Sequence, residues 1–166
     1  HMVMSAFARN AFDPMDFTPV SLYKIPRINR KTSSAFELAT SVIFLSGIQH
    51  YVEGPDGMAK MPSAVKQYMQ TVPVAWDEVK FIDGYPGKFY AVARRAGKKW
   101  YVAAINGDNV QKQIPVDVSM IGAGKTGTIF RTNEKGETVT ENYPVKQGER
   151  KTISVNPNDG FVIVFE

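Results

Sequence analysis

The sequence predicts a mainly β protein in which a helical segment precedes a C-terminal antiparallel β-sandwich. Two observations lead to this fold class. Before residue 74 the apolar residues recur with the period of an α-helix, whereas after it short alternating runs are separated by turn residues. Roughly eight such runs follow residue 74, and short strands at regular spacing are typical of a sandwich.

The composition excludes several kinds of chemistry. The 166 residues contain no cysteine, which removes disulfides, thiolate metal sites and cysteine nucleophiles. Of the two histidines, His1 belongs to a leading His1-Met2 pair typical of an expression scar, and His50 alone cannot build a multi-histidine metal centre. The net charge of +4 is carried by scattered residues, and no apolar run is long enough to cross a bilayer. We therefore expect neither a nucleic-acid nor a membrane partner.

Proline, glycine and capping residues divide the helical segment. The predicted elements are a helix over about 3–12, a very short strand over 15–18, a loop through Pro26 and Arg30, a helix over about 32–51, a loop over 54–57 and a helix over about 63–71. Thr32 or Ser33 is the predicted N-cap of the long helix, and Pro62 opens the last one. Because apolar residues cover most of the circumference of the 32–51 helix, we expect it to be buried on more than one side.

The sandwich is predicted from alternation and turn chemistry. The predicted strands lie at 79–82, 88–95, 100–106, 114–120, 126–131, 138–145, 151–155 and 161–165. Ala96-Gly97 is a hairpin signal between the second and third strands. The other predicted turns include Asp83-Gly84-Tyr85-Pro86-Gly87 and Gly122-Ala123-Gly124.

Two sets of residues are candidates for hydrolytic chemistry. Ser46 and His50 are four apart on the predicted helix and Asp56 follows, so a serine hydrolase triad is a weak alternative to a polar pair on an outer helix. Among the carboxylates, Asp77 and Glu78 are adjacent, so on a strand they point to opposite faces and cannot act together. Asp16 lies on the brief strand, where a barrel displays polar groups, and is the candidate substrate-binding residue.

Exposed aromatic side chains are the candidates for a binding surface. Trp76 and four tyrosines could stack on a sugar ring; the tyrosines are Tyr85, Tyr90, Tyr101 and Tyr143. Tyrosines along sandwich strands are usually packing residues, and we expect packing here. A carbohydrate-binding β-sandwich module is the alternative interpretation of the same residues.

Several motifs, taken in order, identify a family. They are Pro14-Met15-Asp16-Phe17-Thr18-Pro19-Val20, Ser46-Gly47-Ile48-Gln49-His50-Tyr51, Val72-Pro73-Val74-Ala75-Trp76-Asp77-Glu78 and Asp83-Gly84-Tyr85-Pro86-Gly87. In order and spacing this sequence resembles the last barrel strand, the last barrel helix, the linker and the first strands of the C-terminal β domain of glycoside hydrolase family 97. The resemblance covers residues 7–106 well and the remainder only by strand pattern. The run Lys31-Thr32-Ser33-Ser34-Ala35-Phe36-Glu37 departs from the family's helix start.

The resemblance implies a domain division and a function. Residues 3–73 would be the last strand–helix unit of a (β/α)8 barrel, and residues 74–166 the C-terminal sandwich. The parent enzyme would be an α-glucosidase or α-galactosidase that hydrolyses α-glycosidic bonds in oligosaccharides, periplasmic or secreted, with calcium in its inverting branch. The family's catalytic carboxylates and calcium-binding glutamates lie upstream of Pro14, so the resemblance assigns no catalytic residue, metal or cofactor to this chain. It implies a buttressing domain without glycosidase activity.

A barrel strand and helix without the rest of the barrel leave apolar surface uncovered. From this we expect the sandwich to fold alone. We expect the first thirty or so residues to be disordered, rearranged or shared with another molecule. Self-association through the exposed barrel remnant is a further expectation.

Overall fold

The computed structural model describes residues 1–18, 22, 29–121, 126–146 and 148–166. Most of the loop predicted through Pro26, and the turn predicted at Gly122-Ala123-Gly124, lie outside these residues. Within them, five helices, α1 to α5, have the bounds Met2–Phe7, Arg9–Phe12, Ser34–Ile43, Pro55–Lys60 and Ser63–Thr71. Among the described residues, none of the helices has the length and apolar character needed to span a bilayer.

Eight strands follow the helices. They are β1 to β8, with the bounds Glu78–Tyr85, Phe89–Ala96, Lys99–Asn106, Lys112–Asp117, Thr126–Thr132, Thr138–Pro144, Arg150–Val155 and Asp159–Phe165. A single 3-10 turn, Val118–Ile121, follows β4. The bounds agree with the predicted runs to within a few residues because alternation and turn residues are local signals.

The strands form two antiparallel sheets. The larger has six strands in the order β1-β2-β3-β8-β5-β6, and the smaller pairs β4 with β7. The sheets face each other across a core that includes Trp100, Ile163 and Phe165. The helices cover the opposite face of the larger sheet, in a second core that includes Val92 and Val162. The predicted antiparallel sandwich is confirmed.

The helix α3 is buried on all sides, as its apolar circumference predicts. Ala35, Leu38 and Val42 are fully buried against the larger sheet and the other helices. Even the polar Thr40 and Ser41 are inaccessible, and their hydroxyls donate to carbonyls one turn earlier in the helix. The helix is therefore an interior layer of the molecule rather than a surface element.

The long helix is shorter than predicted. It begins as expected, with Ser33 as its N-cap, but it ends at Ile43 rather than near residue 51. Beyond it, Leu45 finds partners outside the helix: its N–H donates to Asn10 Oδ1 at 2.7 Å, and its carbonyl accepts from Asn10 Nδ2 at 2.9 Å and Met15 N–H at 2.9 Å. These long-range hydrogen bonds replace the helical ones, so the chain leaves the helix at Phe44, whose backbone is extended.

Two further predictions about local structure are wrong. The loop predicted at 54–57 contains the start of α4, because Pro55 occupies the first helical position, where its missing N–H costs nothing. The turn predicted at 83–87 begins too early, since β1 continues to Tyr85. A β-bulge lies between Phe81 and Asp83, so the glycine at position 84 follows a bulge within the strand rather than marking a turn.

The N-terminal residues pack against the larger sheet. Val3 and Ala6 of α1 are buried, and Phe7 meets Tyr90 edge-on with ring centroids 5.0 Å apart. The expectation that the first residues are disordered, rearranged or shared is therefore wrong for residues 3–18. The helical face expected to be open is instead covered by the sheet.

Candidate functional site

Asp16, the predicted substrate-binding residue, is exposed in the extended segment 15–18. Its neighbour Phe17 forms an isolated parallel bridge with Gln49 and packs edge-on against Phe44, with ring centroids 4.7 Å apart. The predicted short strand is thus a single bridge. A role for Asp16 in substrate binding stays a prediction.

The serine hydrolase alternative loses its structural basis. Because α3 ends at Ile43, Ser46 and His50 do not share the face of a helix. Ser46 is buried, and its hydroxyl donates to the Ile48 carbonyl at 2.5 Å rather than to a histidine. Asp56 lies in the first turn of α4.

The adjacent carboxylates Asp77 and Glu78 hold the β2–β3 hairpin. Asp77 Oδ2 accepts from the Gly97 N–H at 2.7 Å, and Arg95 Nε donates to Glu78 Oε2 at 3.1 Å. The hydrogen bond from Arg95, followed by that from Lys80, lowers the pKa of Glu78 below its ordinary value. A glycosidase's general acid needs a raised pKa, so the environment of Glu78 opposes that role.

The candidate aromatic residues are mostly packing residues. Trp76 is half-buried and contacts Tyr101 edge-on, with ring centroids 5.2 Å apart, and the Arg94 guanidinium lies 5.9 Å from its ring centroid. Tyr101 and Tyr143 are buried. Tyr85 is exposed. The aromatic rings therefore do not form a shared open platform for a sugar, which argues against the carbohydrate-binding alternative.

An open cleft of about 280 Å³ separates α5 from the larger sheet. Its walls include Tyr68 and Phe130, and an ion pair between Lys99 Nζ and Glu166 Oε1, 2.5 Å apart, lies at its rim. The Tyr68 hydroxyl lies 2.7 Å from Ser41 Oγ, and burial raises its pKa well above its ordinary value. Among the described residues around the cleft, Glu166 alone supplies a side-chain carboxylate, so the paired acids of glycoside hydrolysis are not assembled here.

Metal-binding side chains are not clustered in the part of the chain that the structure describes. No group of three or more His, Cys, Asp or Glu residues is placed to hold an ion there. The calcium ion that the family resemblance implies for the parent enzyme does not fit these residues.

The exposed surface carries an apolar patch that the sequence did not reveal. On β1, Val79 and Phe81 are 50 % and 57 % exposed; Phe7 of α1 contacts Phe81, and Met4, one turn earlier in the helix, is also exposed. We call these four residues the β1-edge patch. The alternation of Val79 and Phe81 with Lys80 and Ile82 predicted a strand here. That this strand lies at the edge of the sheet depends on the topology, which the local pattern does not contain.

The described residues thus define a β-sandwich domain whose larger sheet carries a buried helical layer on its outer face. Residues 75–166 match the family described as "Glycosyl-hydrolase 97 C-terminal, oligomerisation". The chain belongs to this family, the non-catalytic C-terminal domain of glycoside hydrolase family 97. The resemblance inferred from the motifs is thereby confirmed.

Similar proteins extend the match through the helical segment. A probable retaining α-galactosidase of Streptomyces bingchenggensis (strain BCW-1) is 28 % identical over 165 residues, which are 99 % of this chain and 25 % of that protein. The crystal structure of a β-arabinopyranosidase superposes with a TM-score of 0.88 at 30 % identity, covering 98 % of this chain and 27 % of that one. A family 97 enzyme from Pseudoalteromonas sp. strain K8, in complex with acarbose, gives a TM-score of 0.83 at 26 % identity over 100 % of this chain and 28 % of its own. The chain thus spans about a quarter of the length of these relatives.

Proposed function

We propose that this chain is the terminal part of a longer family 97 enzyme that hydrolyses α-glycosidic bonds in oligosaccharides. In that enzyme this chain stabilises the catalytic barrel and contributes to oligomerisation, and it does not cleave the glycosidic bond. The retaining α-galactosidase relative and the acarbose-bound family 97 enzyme, both about four times as long, support the substrate class. A periplasmic or secreted location, and calcium bound outside this chain, belong to the same proposal.

The observation that carries the buttressing role is the enclosure of α3. One side of this helix packs on β3 and β8, and the extended residues that follow it bond to Asn10 and Met15. We infer that this helix is the last helix of the barrel and that residues 15–18 belong to its last strand. The sandwich would then fix the final strand–helix unit from outside.

Exposed apolar side chains on the helical segment mark where the rest of the barrel would pack. Phe12, Ile48 and Val52 are 85 %, 64 % and 52 % exposed; Phe12 precedes residues 15–18, and Ile48 and Val52 follow α3. Complete burial of one side chain of this size contributes about 1.5 to 3 kcal/mol of stability relative to full exposure. The longer polypeptide would supply the surface that covers them.

Hydrolysis of nitrophenyl α-galactoside and α-glucoside tests this function. The longer polypeptide from the native gene is expected to release nitrophenol from at least one of them, and the purified 166-residue chain from neither. Deleting residues 75–166 from the longer polypeptide is expected to lower its thermal stability and yield of active enzyme. Turnover by the purified chain, or full stability after the deletion, would contradict the proposal.

A fluorescence titration provides the control for sugar binding. Starch-type oligosaccharides added to the 166-residue chain are expected to leave the fluorescence of Trp76 and Trp100 unchanged, since neither ring forms an open platform. Saturable quenching would favour the carbohydrate-binding module instead.

A further inference from the structure

The segments on either side of α3 lie next to each other and run in the same direction. Phe17, in the segment before the helix, forms an isolated parallel bridge with Gln49, in the segment after it. Two parallel segments joined by a helix have the arrangement of a βαβ unit, from which a (β/α)8 barrel is built. The barrel unit inferred above therefore gains a second strand position after α3, centred on Gln49.

The two residues of this bridge point their side chains towards α3. The Phe17 ring packs edge-on against Phe44, the C-cap of the helix, with ring centroids 4.7 Å apart. The Gln49 side chain donates from Nε2 to the carbonyl of Ser41 in α3 at 2.8 Å. Because successive side chains of a strand point to opposite faces, the residues next to Phe17 and Gln49 point away from the helix.

The face turned away from α3 carries the polar residues Asp16, Thr18 and His50. Partly buried and exposed residues alternate along 15–18 and along 48–51, and these three are exposed. In a (β/α)8 barrel the helices lie outside the strands, so this face corresponds to the barrel interior. Thr18 and His50 each follow a residue of the bridge and lie towards the carboxyl ends of the parallel segments. Barrel enzymes build their active sites at that end.

The chemistry of these side chains suits a ligand with many hydroxyl groups. The Asp16 carboxylate accepts hydrogen bonds, and the Thr18 hydroxyl can donate and accept. The neutral imidazole of His50 offers one donor and one acceptor nitrogen. A carboxylate that faces a barrel interior is costly to bury without a hydrogen-bonding partner, which favours a ligand over simple packing.

The backbone that carries Asp16 is held from the helical side. The buried Asn10 side chain bonds both the N–H and the carbonyl of Leu45, at 2.7 Å and 2.9 Å. The same carbonyl accepts from the N–H of Met15, the residue before Asp16, at 2.9 Å. A fixed backbone of this kind holds a binding group in a defined position.

We propose that Asp16, Thr18 and His50 form part of the substrate site of the longer enzyme, where they hydrogen-bond the ring hydroxyls of the glycoside. This inference rests on the proposed function, since the rest of the barrel and its catalytic carboxylates belong to the longer polypeptide. The chain then contributes to the reaction by holding the sugar, although it does not supply the acids that cleave the bond.

Kinetics of the longer enzyme on nitrophenyl α-galactoside and α-glucoside test this site. Asp16→Ala and His50→Ala are each expected to lower kcat/KM about tenfold or more on the better substrate, because each removes a hydrogen bond to the sugar. Both variants are also expected to weaken inhibition by the released monosaccharide. Asp16→Asn keeps an acceptor oxygen and is expected to lose less. The matched control Asp56→Ala, at an exposed residue of α4, is expected to leave these constants unchanged.

Urea unfolding of the 166-residue chain separates binding from packing. Because Asp16 and His50 face away from α3, Asp16→Ala and His50→Ala are expected to leave the urea midpoint unchanged when circular dichroism follows unfolding. Phe17→Ala is the comparison on the opposite face and is expected to lower the midpoint, since it removes a ring that packs on Phe44. A fall as large in Asp16→Ala or His50→Ala would show a packing residue and overturn the inference.

The outcomes distinguish this inference from the proposed function. If the longer enzyme is active and either Asp16→Ala or His50→Ala loses less than about tenfold in kcat/KM, the inference is wrong and the proposed function stands. An equal loss in Asp56→Ala would show a general effect of substitution and also overturn the inference. If the longer polypeptide hydrolyses neither substrate, the proposed function fails and this inference fails with it.

Discussion

Asp159 joins α3 to two strands of the larger sheet. It is buried at the start of β8, where its Oδ1 atom accepts from the Ser33 hydroxyl, from the Thr132 hydroxyl at 2.7 Å and from the Gly160 N–H at 2.8 Å. Ser33 is also the N-cap of α3, accepting from the Phe36 N–H at 3.0 Å. One carboxylate thus orients the residue that caps the buried helix.

Asp159→Ala is expected to lower the free energy of unfolding by about 3 kcal/mol, because it leaves the buried Gly160 N–H and two half-buried hydroxyls without this acceptor. Chemical denaturation measures this loss. Asp159→Asn keeps an acceptor oxygen and is expected to cost less, and Glu134→Ala, at an exposed turn residue, serves as the matched control. A loss of less than about 0.5 kcal/mol for Asp159→Ala would show that the carboxylate does not stabilise the helix.

Tyr143 provides a pH-dependent prediction. Burial, followed by the nearby charge of Glu149, raises its pKa to about 12 from an ordinary value of 10.0. The neutral phenol is favoured in the folded state, so its contribution to stability is present below pH 10 and is lost as the pH rises from 10 to 12. Tyr143→Phe is expected to make the alkaline decline of stability shallower, since Phe cannot ionise.

Urea denaturation at pH 7, 10 and 11.5 measures this effect, with Tyr85→Phe as the control at an exposed ring. Among the residues that the structure describes, the Tyr143 hydroxyl has no hydrogen-bond partner, so Tyr143→Phe is expected to be neutral or stabilising at pH 7. An alkaline decline as steep in this variant as in the parent chain would contradict the assignment to Tyr143.

The packing of α3 on β8 depends on a glycine. An added Cβ at Gly160 would lie 2.6 Å from the Ala104 carbonyl oxygen and 3.0 Å from the Phe36 Cα atom. Both neighbours are backbone atoms, which cannot rotate away as a side chain would. The distance between this helix and the sheet is therefore set by the absence of a side chain at one strand position.

Gly160→Ala is expected to cost about 3 kcal/mol of folding free energy through overpacking. Thermal or urea unfolding followed by circular dichroism measures it. Gly47→Ala is the matched control, because a Cβ at Gly47 meets nothing within 4 Å. Equal stability of the two variants would mean that α3 does not approach β8 as closely as described.

The elements that could be predicted are those with local signals. Ser33 marks the start of α3, and alternating residues between turns mark the strands. The end of α3 at Ile43 could not be predicted, because the hydrogen bonds that replace the helix join Leu45 to Asn10, 35 residues away. The β1-edge patch was missed for a similar reason, since edge position is a property of strand order. The family motifs identified the domain where the residue chemistry alone did not.

At the scale of the whole molecule, the helical segment and the sandwich are joined by the larger sheet, which packs against both. Trp76 packs in the core between helices and sheet, and Trp100 packs in the core between the two sheets. The larger sheet separates these cores and contributes side chains to both. We therefore expect residues before and after position 74 to unfold together, although the family match begins at residue 75.

The enclosure of α3 within the fold of this domain is tested most directly by the two tryptophans. Trp100→Phe leaves the fluorescence of Trp76 to report on the helical layer, and Trp76→Phe leaves Trp100 to report on the sandwich. In each variant, urea unfolding followed by fluorescence is expected to superimpose on unfolding followed by circular dichroism. Loss of the Trp76 signal at a lower urea concentration than the circular dichroism transition would show that the helical layer separates from a sandwich that folds without it.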